Sequence, residues 1–167
     1  MAYGQFVAPS YAFARASGTT QYAENELIAE SATAASTKRL KWNVENIRGR
    51  GKIVAVRVFT DNETVTAAIF NLHLYRTDPG TPTNGDNGAY AVASVRDLLA
   101  TVACDMSTGS TTSSTDKVQR FPLTVPIVFQ IPAEAILLYG QLSTGTSGEY
   151  TPASGEVFEV TLEIEGC

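Results

Sequence analysis

The chain has 167 residues, of which 44% are hydrophobic and 17% charged, and it carries a net charge of −5. A chain of this length can bury about 70% of its unfolded surface, so it needs no disulfide or metal to fold. The acidic balance argues against nucleic-acid binding, which uses a basic excess to neutralise phosphates. No run approaches the roughly 20 apolar residues of a membrane span. Residues 1–13 lack the pattern of a signal peptide, so we expect a protein made in a reducing cytoplasm.

The N-terminal segment, residues 1–20, is predicted to be an extended arm with at most one short strand. It is rich in Ala, Ser and Gly, and Phe6, Tyr11 and Phe13 stand out among the small residues. Segments of this composition often become ordered only against a partner. The remainder, residues 21–167, is predicted to form one domain.

Three runs in the first half alternate apolar and polar residues with period two, which predicts β-strands. They are KRLKWNV, KIVAVRVF and AIFNLHLYR. Between them, DNET and NIRGRG indicate turns. In the third run Asn71, His73 and Tyr75 are expected to face away from the core. The residues expected to share the inward faces are Leu40, Trp42, Val44, Val54, Val56, Val58, Phe70, Leu72 and Leu74.

The second half also contains strand-like runs, but two of them alternate less regularly. Residues 92–104, VASVRDLLATVAC, are compatible with a short helix or a strand. FPLTVPIVFQIP is predicted to be an edge-type strand pair, because Pro122, Pro126 and Pro132 cannot donate to a ladder. The last run, VFEVTLEIE, alternates almost perfectly. It places Phe158, Val160, Leu162 and Ile164 on the core side and Glu159, Thr161, Glu163 and Glu165 on the water side.

These patterns predict an all-β fold, an antiparallel β-sandwich of jelly-roll type with an N-terminal arm. About seven to nine short strands are separated by turn clusters, which is typical of sandwiches. A parallel α/β architecture is disfavoured because no amphipathic helices lie between the strands.

Catalytic and cofactor motifs are weak, and we expect no enzyme activity, no cofactor and no metal. His73 is the single histidine and is expected to be an ordinary strand residue. RGRGK (residues 48–52) lacks the Ser or Thr of a phosphate-binding loop and leads into a strand. In the loop after residue 76 turn chemistry accounts for the polar residues, with Ca²⁺ as the alternative. Those loop residues are Asp78, Asn84, Asp86 and Asn87.

Three further features leave alternatives open. Half of the basic residues fall between Lys38 and Lys52, where they form either a solvated sheet face or a patch that docks on an acidic protein. Tyrosines at 75, 90, 139 and 150 pack against the sandwich or, in a carbohydrate-binding module, stack on sugars. Cys104 lies in an apolar run and Cys167 ends the chain; a disulfide between them is the less favoured alternative to free thiols.

Several strings resemble the head decoration or capsid cement proteins of tailed bacteriophages. They are QYAENELIAESATAAS, the run GRGKIVAVRVFTDNETVTAAIFNLHLYRTDPGTPTNGDNGAYA and the closing YGQLSTGTSGEYTPASGEVFEVTLEIE. The shared elements are a strand ending Leu72-His73-Leu74-Tyr75, a Pro-rich loop with Asn84-Gly85-Asp86-Asn87-Gly88, and residues 150–156. The likeness covers about residues 20–165.

The resemblance implies a non-enzymatic virion structural protein on the capsid exterior, made in the host bacterial cytoplasm. Its partner would be the major capsid protein, and it would form a trimer or dimer on the shell, without nucleic acid or membrane. The alternatives are a tail or baseplate module, or a carbohydrate-binding sandwich. The residues predicted to contact the capsid or another subunit are Gln5, Phe6, Tyr11, Phe13, Arg48 and Arg50.

Overall fold

The structure is a computed structural model, and it describes residues 5–47, 50–62, 65, 68–107, 111–112, 115–130, 136–145 and 150–166. Short 3-10 turns occur at Ala34–Ser36 and Glu45–Ile47. All other regular elements of this part of the chain are strands. They are β1 (Phe6–Val7), β2 (Ser10–Ala14), β3 (Leu27–Ile28), β4 (Leu40–Asn43), β5 (Arg50–Thr60), β6 (Ile69–Tyr75), β7 (Leu98–Asp105), β8 (Thr111–Thr112), β9 (Lys117–Gln130), β10 (Leu137–Thr144) and β11 (Val157–Gly166).

The strands form two antiparallel sheets whose order is that of a jelly roll. Sheet 1 has the order β1-β11-β5-β9-β8, with β2 also paired to β11. Sheet 2 has the order β3-β10-β6-β7, with β4 also paired to β10. The eight longer strands thus give β2-β11-β5-β9 facing β4-β10-β6-β7, which is the interleaved order of two Greek keys. The predicted all-β, antiparallel, jelly-roll-like sandwich is confirmed.

The core lies between the sheets and is built by the predicted alternation. Side chains at every second position of β4, β6 and β11 are buried. Trp42 is fully buried, and its indole Nε1–H donates to the carbonyl of Val160 in the opposite sheet at 2.9 Å. The predicted core residues with at most 5% exposure in these strands are Leu40, Trp42, Phe70, Leu72, Leu74, Phe158, Val160, Leu162 and Ile164. On the water side of β11, Thr161 differs from its prediction because it is only 4% exposed.

An irregularity in the pairing of β5 changes which of its residues face the core, so part of the prediction for this strand is wrong. Ile53 pairs with Ile127 and Ala55 with Pro122, so Val54 lies opposite a four-residue excursion of β9. A bulge shifts the register of the following residues and exchanges their faces. Ile53 is therefore fully buried in the core with Val56, whereas Val54, predicted to point inward, is half-exposed.

Two predictions for the second half are also corrected. The ambiguous run that ends at Cys104 contains the strand β7 and no helix. The predicted edge-type strand pair is one strand, β9, which contains Pro122 and Pro126. Pro126 is tolerated because it lies in the excursion opposite Val54, outside the paired positions. Pro132 lies outside the described residues.

The N-terminal segment differs from the expected arm because strands β1 and β2 both pair with β11. Phe13 is 8% exposed and stacks on Phe158, with ring centroids 5.7 Å apart. Hydrogen-bonded structure continues across residue 20, the predicted boundary between the arm and the domain. Ala16 N–H donates to the carbonyl of Ala29, and Tyr22 N–H donates to that of Tyr150. The N-terminal strands pair with β11 because β5 occupies only one edge of β11. Residues 10–14 supply hydrogen-bond partners for backbone groups on its other edge.

Candidate interaction surface

Three of the predicted contact residues come together at one corner of sheet 1. β1 brings Phe6 next to Glu165, and the carbonyl of Gln5 accepts a hydrogen bond from Gly166 N–H at 2.7 Å. Gly166 in turn pairs with Gly51, which follows Arg50. The segment 5–6 and Arg50 thus lie on the two sides of the same end of β11, although more than forty residues separate them in the sequence.

The corner contains a row of four side chains on the outer face of the sheet. Phe6 pairs with Glu165, Glu165 with Lys52, and Lys52 with Val128. Directly paired residues of antiparallel strands point to the same face, and three strand spacings of about 4.8 Å make the row roughly 14 Å long. Phe6 is 57% and Val128 55% exposed, so apolar groups end the row on both sides.

Charges occupy the middle of the row. Lys52 Nζ lies 2.7 Å from Glu165 Oε2, and both side chains are substantially exposed, so this ion pair contributes at most about 1 kcal/mol. Arg50, two residues before Lys52 on the same face, is exposed and adds a further cation. We call this surface the Phe6 corner. It consists of Gln5, Phe6, Arg50, Lys52, Val128 and Glu165.

The other predicted contact residues lie elsewhere. Tyr11 is half-buried against the core, where burial raises the pKa of its hydroxyl, and Phe13 faces the core. Their side chains do not belong to the Phe6 corner. Arg48 lies outside the described residues, so its assignment stays a prediction.

The basic cluster of the sequence is divided between the two sheets. Arg39 pairs with Asp78 at 2.5 Å, and Lys41 lies 6.0 Å from the ring centroid of Tyr139, both on the side of sheet 2. Arg50 and Lys52 belong to sheet 1. The consecutive strands β4 and β5 belong to different sheets, so the charges that they carry do not form one patch.

A buried ion pair ties the N-terminal segment to two loops. Arg15 Nη2 lies 2.6 Å from Asp86 Oδ2, with side chains only 2% and 3% exposed. Tyr22 donates its hydroxyl to Asp86 Oδ1 at 2.5 Å, and Ala29 N–H donates to the same oxygen at 2.8 Å. Burial and the Asp86 carboxylate raise the pKa of Tyr22. Arg15 Nη1 also donates to the carbonyls at 18 and 153.

A second buried carboxylate, Glu156, is surrounded by donors. Asn62 Nδ2 donates to it at 3.0 Å and Ala153 N–H at 3.1 Å, and the hydroxyls of Thr60 and Tyr150 also donate. Burial and this carboxylate raise the pKa of Tyr150. The four donors tie the end of β5 to the segment that precedes β11, and they leave Glu156 no accessible face for substrate chemistry.

His73 is buried in the outer layer of sheet 2. Its ring nitrogens lie 3.0 Å from Thr101 Oγ1 and 2.9 Å from Ser143 Oγ, and the Tyr90 ring stacks on it at 4.0 Å. Burial lowers the pKa of His73 to about 4, so the ring is neutral at neutral pH. These contacts are those of an ordinary strand histidine.

Of the four tyrosines proposed for sugar stacking, two are buried and two are half-buried. Tyr75 is 1% and Tyr150 4% exposed. The hydroxyl of Tyr75 bonds to that of Tyr90, whose ring already covers His73, and Tyr139 lies beside Lys41. The rings that the carbohydrate alternative needs are therefore engaged within the chain.

The polar loop after β6 uses its oxygens for turns and for the fold. Asp78 accepts from Gly80 N–H at 2.9 Å as well as from Arg39, and these contacts lower its pKa despite partial burial. Asn84 donates to the carbonyl of Ala89 at 2.6 Å. Asn87 has φ of 59° and donates to the carbonyls at 20 and 21. In the described part of the chain no group of three or more His, Cys, Asp or Glu is placed to hold a metal ion.

Two remaining features concern the cysteines and membranes. Cys104 is a free, fully buried thiol, and burial raises its pKa. Cys167 lies outside the described residues. Of the helical segments in the described ranges, none has the length and hydropathy needed to cross a membrane.

Comparison with known proteins yields distant structural likenesses. No protein-family model and no curated protein sequence matches the chain. A chain of the Israeli acute paralysis virus full particle is 12% identical, with 98% of this chain and 68% of that chain covered and a TM-score of 0.39. For tomato aspermy virus the identity is 11%, the coverage 100% and 80%, and the TM-score 0.38. For the PRD1 vertex protein the values are 14%, 93% and 94%, and 0.36.

All three structures come from viruses, but at these identities and TM-scores they carry no inference about function. The jelly-roll assignment rests on the strand order, and the resemblance to capsid cement proteins stays a prediction.

Proposed function

We propose that this chain is a non-enzymatic phage virion structural protein that binds the outer surface of the capsid and cements the shell. The observation that carries the proposal is the Phe6 corner. Three of the six residues predicted to contact the capsid, Gln5, Phe6 and Arg50, lie around this corner, and this proximity supports the proposal. The sequence strings that resemble capsid cement proteins support a role on the capsid rather than elsewhere, and the major capsid protein is the proposed partner.

The composition of the Phe6 corner suits a protein–protein contact. Aromatic and Arg side chains are the most frequent anchors of interfaces, and a polar rim excludes water around them. Phe6 supplies the anchor, with Val128 at the other end of the row, and Arg50 can pair with a carboxylate of the shell. Burying most of an exposed aromatic side chain contributes about 1–2 kcal/mol per contact.

Modest contacts are sufficient for cementing because they are repeated over the shell. A protein that binds only the assembled shell stabilises it by mass action. A trimer or dimer engages several sites at once, so its retention exceeds the affinity of each site. This arrangement requires a rigid sandwich on the capsid exterior and no catalytic group.

The test is co-sedimentation of the purified protein with undecorated phage heads, scored for stoichiometry and for the temperature of shell disruption. We expect saturable binding at a fixed ratio to capsid protein and a more heat-resistant shell. Phe6→Ala combined with Arg50→Ala should weaken binding at least tenfold. Val95→Ala, an apolar change at a 65% exposed position in the β6–β7 connection, is the matched control and should leave binding unchanged. A folded wild-type protein that does not bind heads would refute the capsid role.

The second candidate is a tail or baseplate module. The same sequence strings are compatible with it, because sandwich modules recur in different parts of virions. Labelling intact virions with an antibody against this chain separates the two, since a cement protein decorates the head. A glycan array tests the carbohydrate alternative. Binding that survives Tyr139→Ala would count against sugar stacking on the half-buried tyrosine.

A further inference from the structure

The two sheets differ in how their outward faces are covered. On sheet 2 the outward side chains of Tyr75 and Gln141 are only 1% and 2% exposed, and Tyr90 from the β6–β7 connection bonds to Tyr75. On sheet 1 the outward side chain of Arg57 in β5 is exposed, and that of Phe59 is half-buried. Among the described residues, sheet 2 is thus covered by the chain itself, whereas the centre of sheet 1 is accessible to another molecule.

A groove of about 220 Å³ lies in this accessible face, and we call it the Arg57 groove. Its lining residues are Arg57, Phe59, Val118, Glu159 and Thr161. Phe59 pairs with Glu159 on one side and with Val118 on the other, and Arg57 pairs with Thr161 in the next outward row. The groove is smaller than the roughly 300 Å³ at which pockets for small molecules begin. Its size therefore suits one side chain of a partner.

The charges beside the groove are not balanced. Arg57 pairs directly with Arg120 of β9, and like charges in this position destabilise a sheet. Glu163 accepts three contacts of 2.6–3.0 Å from Arg120, and these bonds, with the charge of Arg57, lower the pKa of Glu163. The guanidinium of Arg57 itself makes no hydrogen bond or ion pair within the described ranges. Two guanidinium groups thus share one carboxylate.

Such an imbalance is typical of functional sites, where a local rule is broken for the sake of a partner. We propose that the Arg57 groove takes one carboxylate side chain, Asp or Glu, from the surface of the capsid protein. A guanidinium binds a carboxylate through two parallel hydrogen bonds. The incoming charge would also offset the repulsion between Arg57 and Arg120. The apolar walls, Phe59 and Val118, strengthen the attraction by excluding water from it.

Glu159 limits what the groove accepts. It lines the wall beside Phe59, so a second carboxylate from the partner would be repelled there. A backbone N–H that flanks the bound Asp or Glu can instead donate to Glu159. The groove therefore favours a single acidic residue in an extended segment over a run of acidic residues.

This inference rests on the proposed capsid role, because it names the chemistry that the shell must present. Arg57 follows Lys52 of the Phe6 corner by five positions on the same strand and face, a distance of about 16 Å. A standard interface covers about 800 Å² on each partner, so one contact can include both features.

The experiment measures binding of the full chain to undecorated phage heads at several salt concentrations. Arg57→Gln should raise the Kd about tenfold and make binding less dependent on salt, because it removes one charge pair from the contact. The matched control is Arg96→Gln, the same change at an exposed position in the β6–β7 connection. It should leave both the Kd and the salt dependence unchanged.

Urea unfolding supplies a readout that does not involve the capsid. Arg57→Gln removes the repulsion with Arg120, so its unfolding midpoint should equal or exceed that of the wild type. Val118→Asp provides a carboxylate for Arg57 from within the chain, so it should weaken binding to heads while the chain stays folded. A residue retained for binding is expected to show this combination of weaker binding and undiminished stability.

The outcomes separate this proposal from the capsid role. If the wild type binds heads and Arg57→Gln binds as tightly as Arg96→Gln, the groove is not a contact, but the capsid role stands. A lower unfolding midpoint for Arg57→Gln would make Arg57 a structural residue and would also overturn the proposal. If the wild type does not bind heads, the capsid role fails and this inference fails with it.

Discussion

The buried pair of Arg15 and Asp86 allows the sharpest test of how the N-terminal segment is held. In Asp86→Asn the side chain keeps its shape and its bonds from Tyr22 and Ala29, but Arg15 is left as an uncompensated charge with 2% exposure. Breaking a buried pair in this way costs about 3–5 kcal/mol. For a domain of this size that corresponds to a fall in Tm of about 10 °C.

Urea unfolding measures the effect, with the fluorescence of Trp42, the single tryptophan and fully buried, as the probe. Arg15→Met and the double variant complete a cycle. Because the double variant contains no buried charge from the pair, its loss should fall short of the sum of the single losses by about 2 kcal/mol or more. Asp78→Asn is the control, since its pair with Arg39 is partly exposed and should contribute less than about 1 kcal/mol.

Two results would refute this reasoning. One is a loss below about 1 kcal/mol for Asp86→Asn, equal to that of the control. The other is strict additivity in the cycle, which would mean that the two side chains stabilise the fold independently.

Three further outcomes are expected. Burial lowers the pKa of His73 to about 4, so as the pH falls the unfolded chain is protonated before the folded one. The free energy of unfolding should therefore fall by about 2 kcal/mol between pH 7 and pH 5. In urea titrations at both pH values, His73→Gln should show a decline that is smaller by this amount. Cys104, buried with a raised thiol pKa, should resist alkylation in the native protein and react after unfolding, as read by mass spectrometry of its peptide. Gly140→Ala should destabilise by about 1–3 kcal/mol in urea, because the added Cβ would lie 2.7 Å from two ring atoms of Trp42; an unchanged midpoint would mean that the indole moves freely.

Local periodicity predicted the strands wherever the ladder is regular. The alternation around Trp42, in β6 and in β11 identified core residues correctly, because one face of each strand is buried and the side-chain period is two. The same rule failed at Val54, since a bulge depends on the partner strand and leaves no mark in the alternation of β5 itself. It also left β7 undecided, where Leu, Ala and Val suit either structure.

Local sequence patterns could not predict the contacts between segments that are distant in the sequence. Arg15 and Asp86 are separated by 71 positions, and Glu156 meets Asn62 across 94. A buried Arg in a segment of small residues, and a Glu within a turn-rich stretch, look like surface residues until the strand order is known. The Phe6 corner was found in part, because the aromatic and the Arg were both marked, but only the pairing of β1, β11 and β5 places them together.

The position of β11 has a consequence for the timing of folding. It follows the other described strands in the sequence, yet it lies inside sheet 1, between β5 on one side and β1 and β2 on the other. Within the described ranges β1 and β2 pair only with β11, so they can join a ladder only after β11 has been synthesised. Pairings over such sequence separations form slowly. The Phe6 corner therefore cannot form before the residues of β11, up to Gly166, have been synthesised.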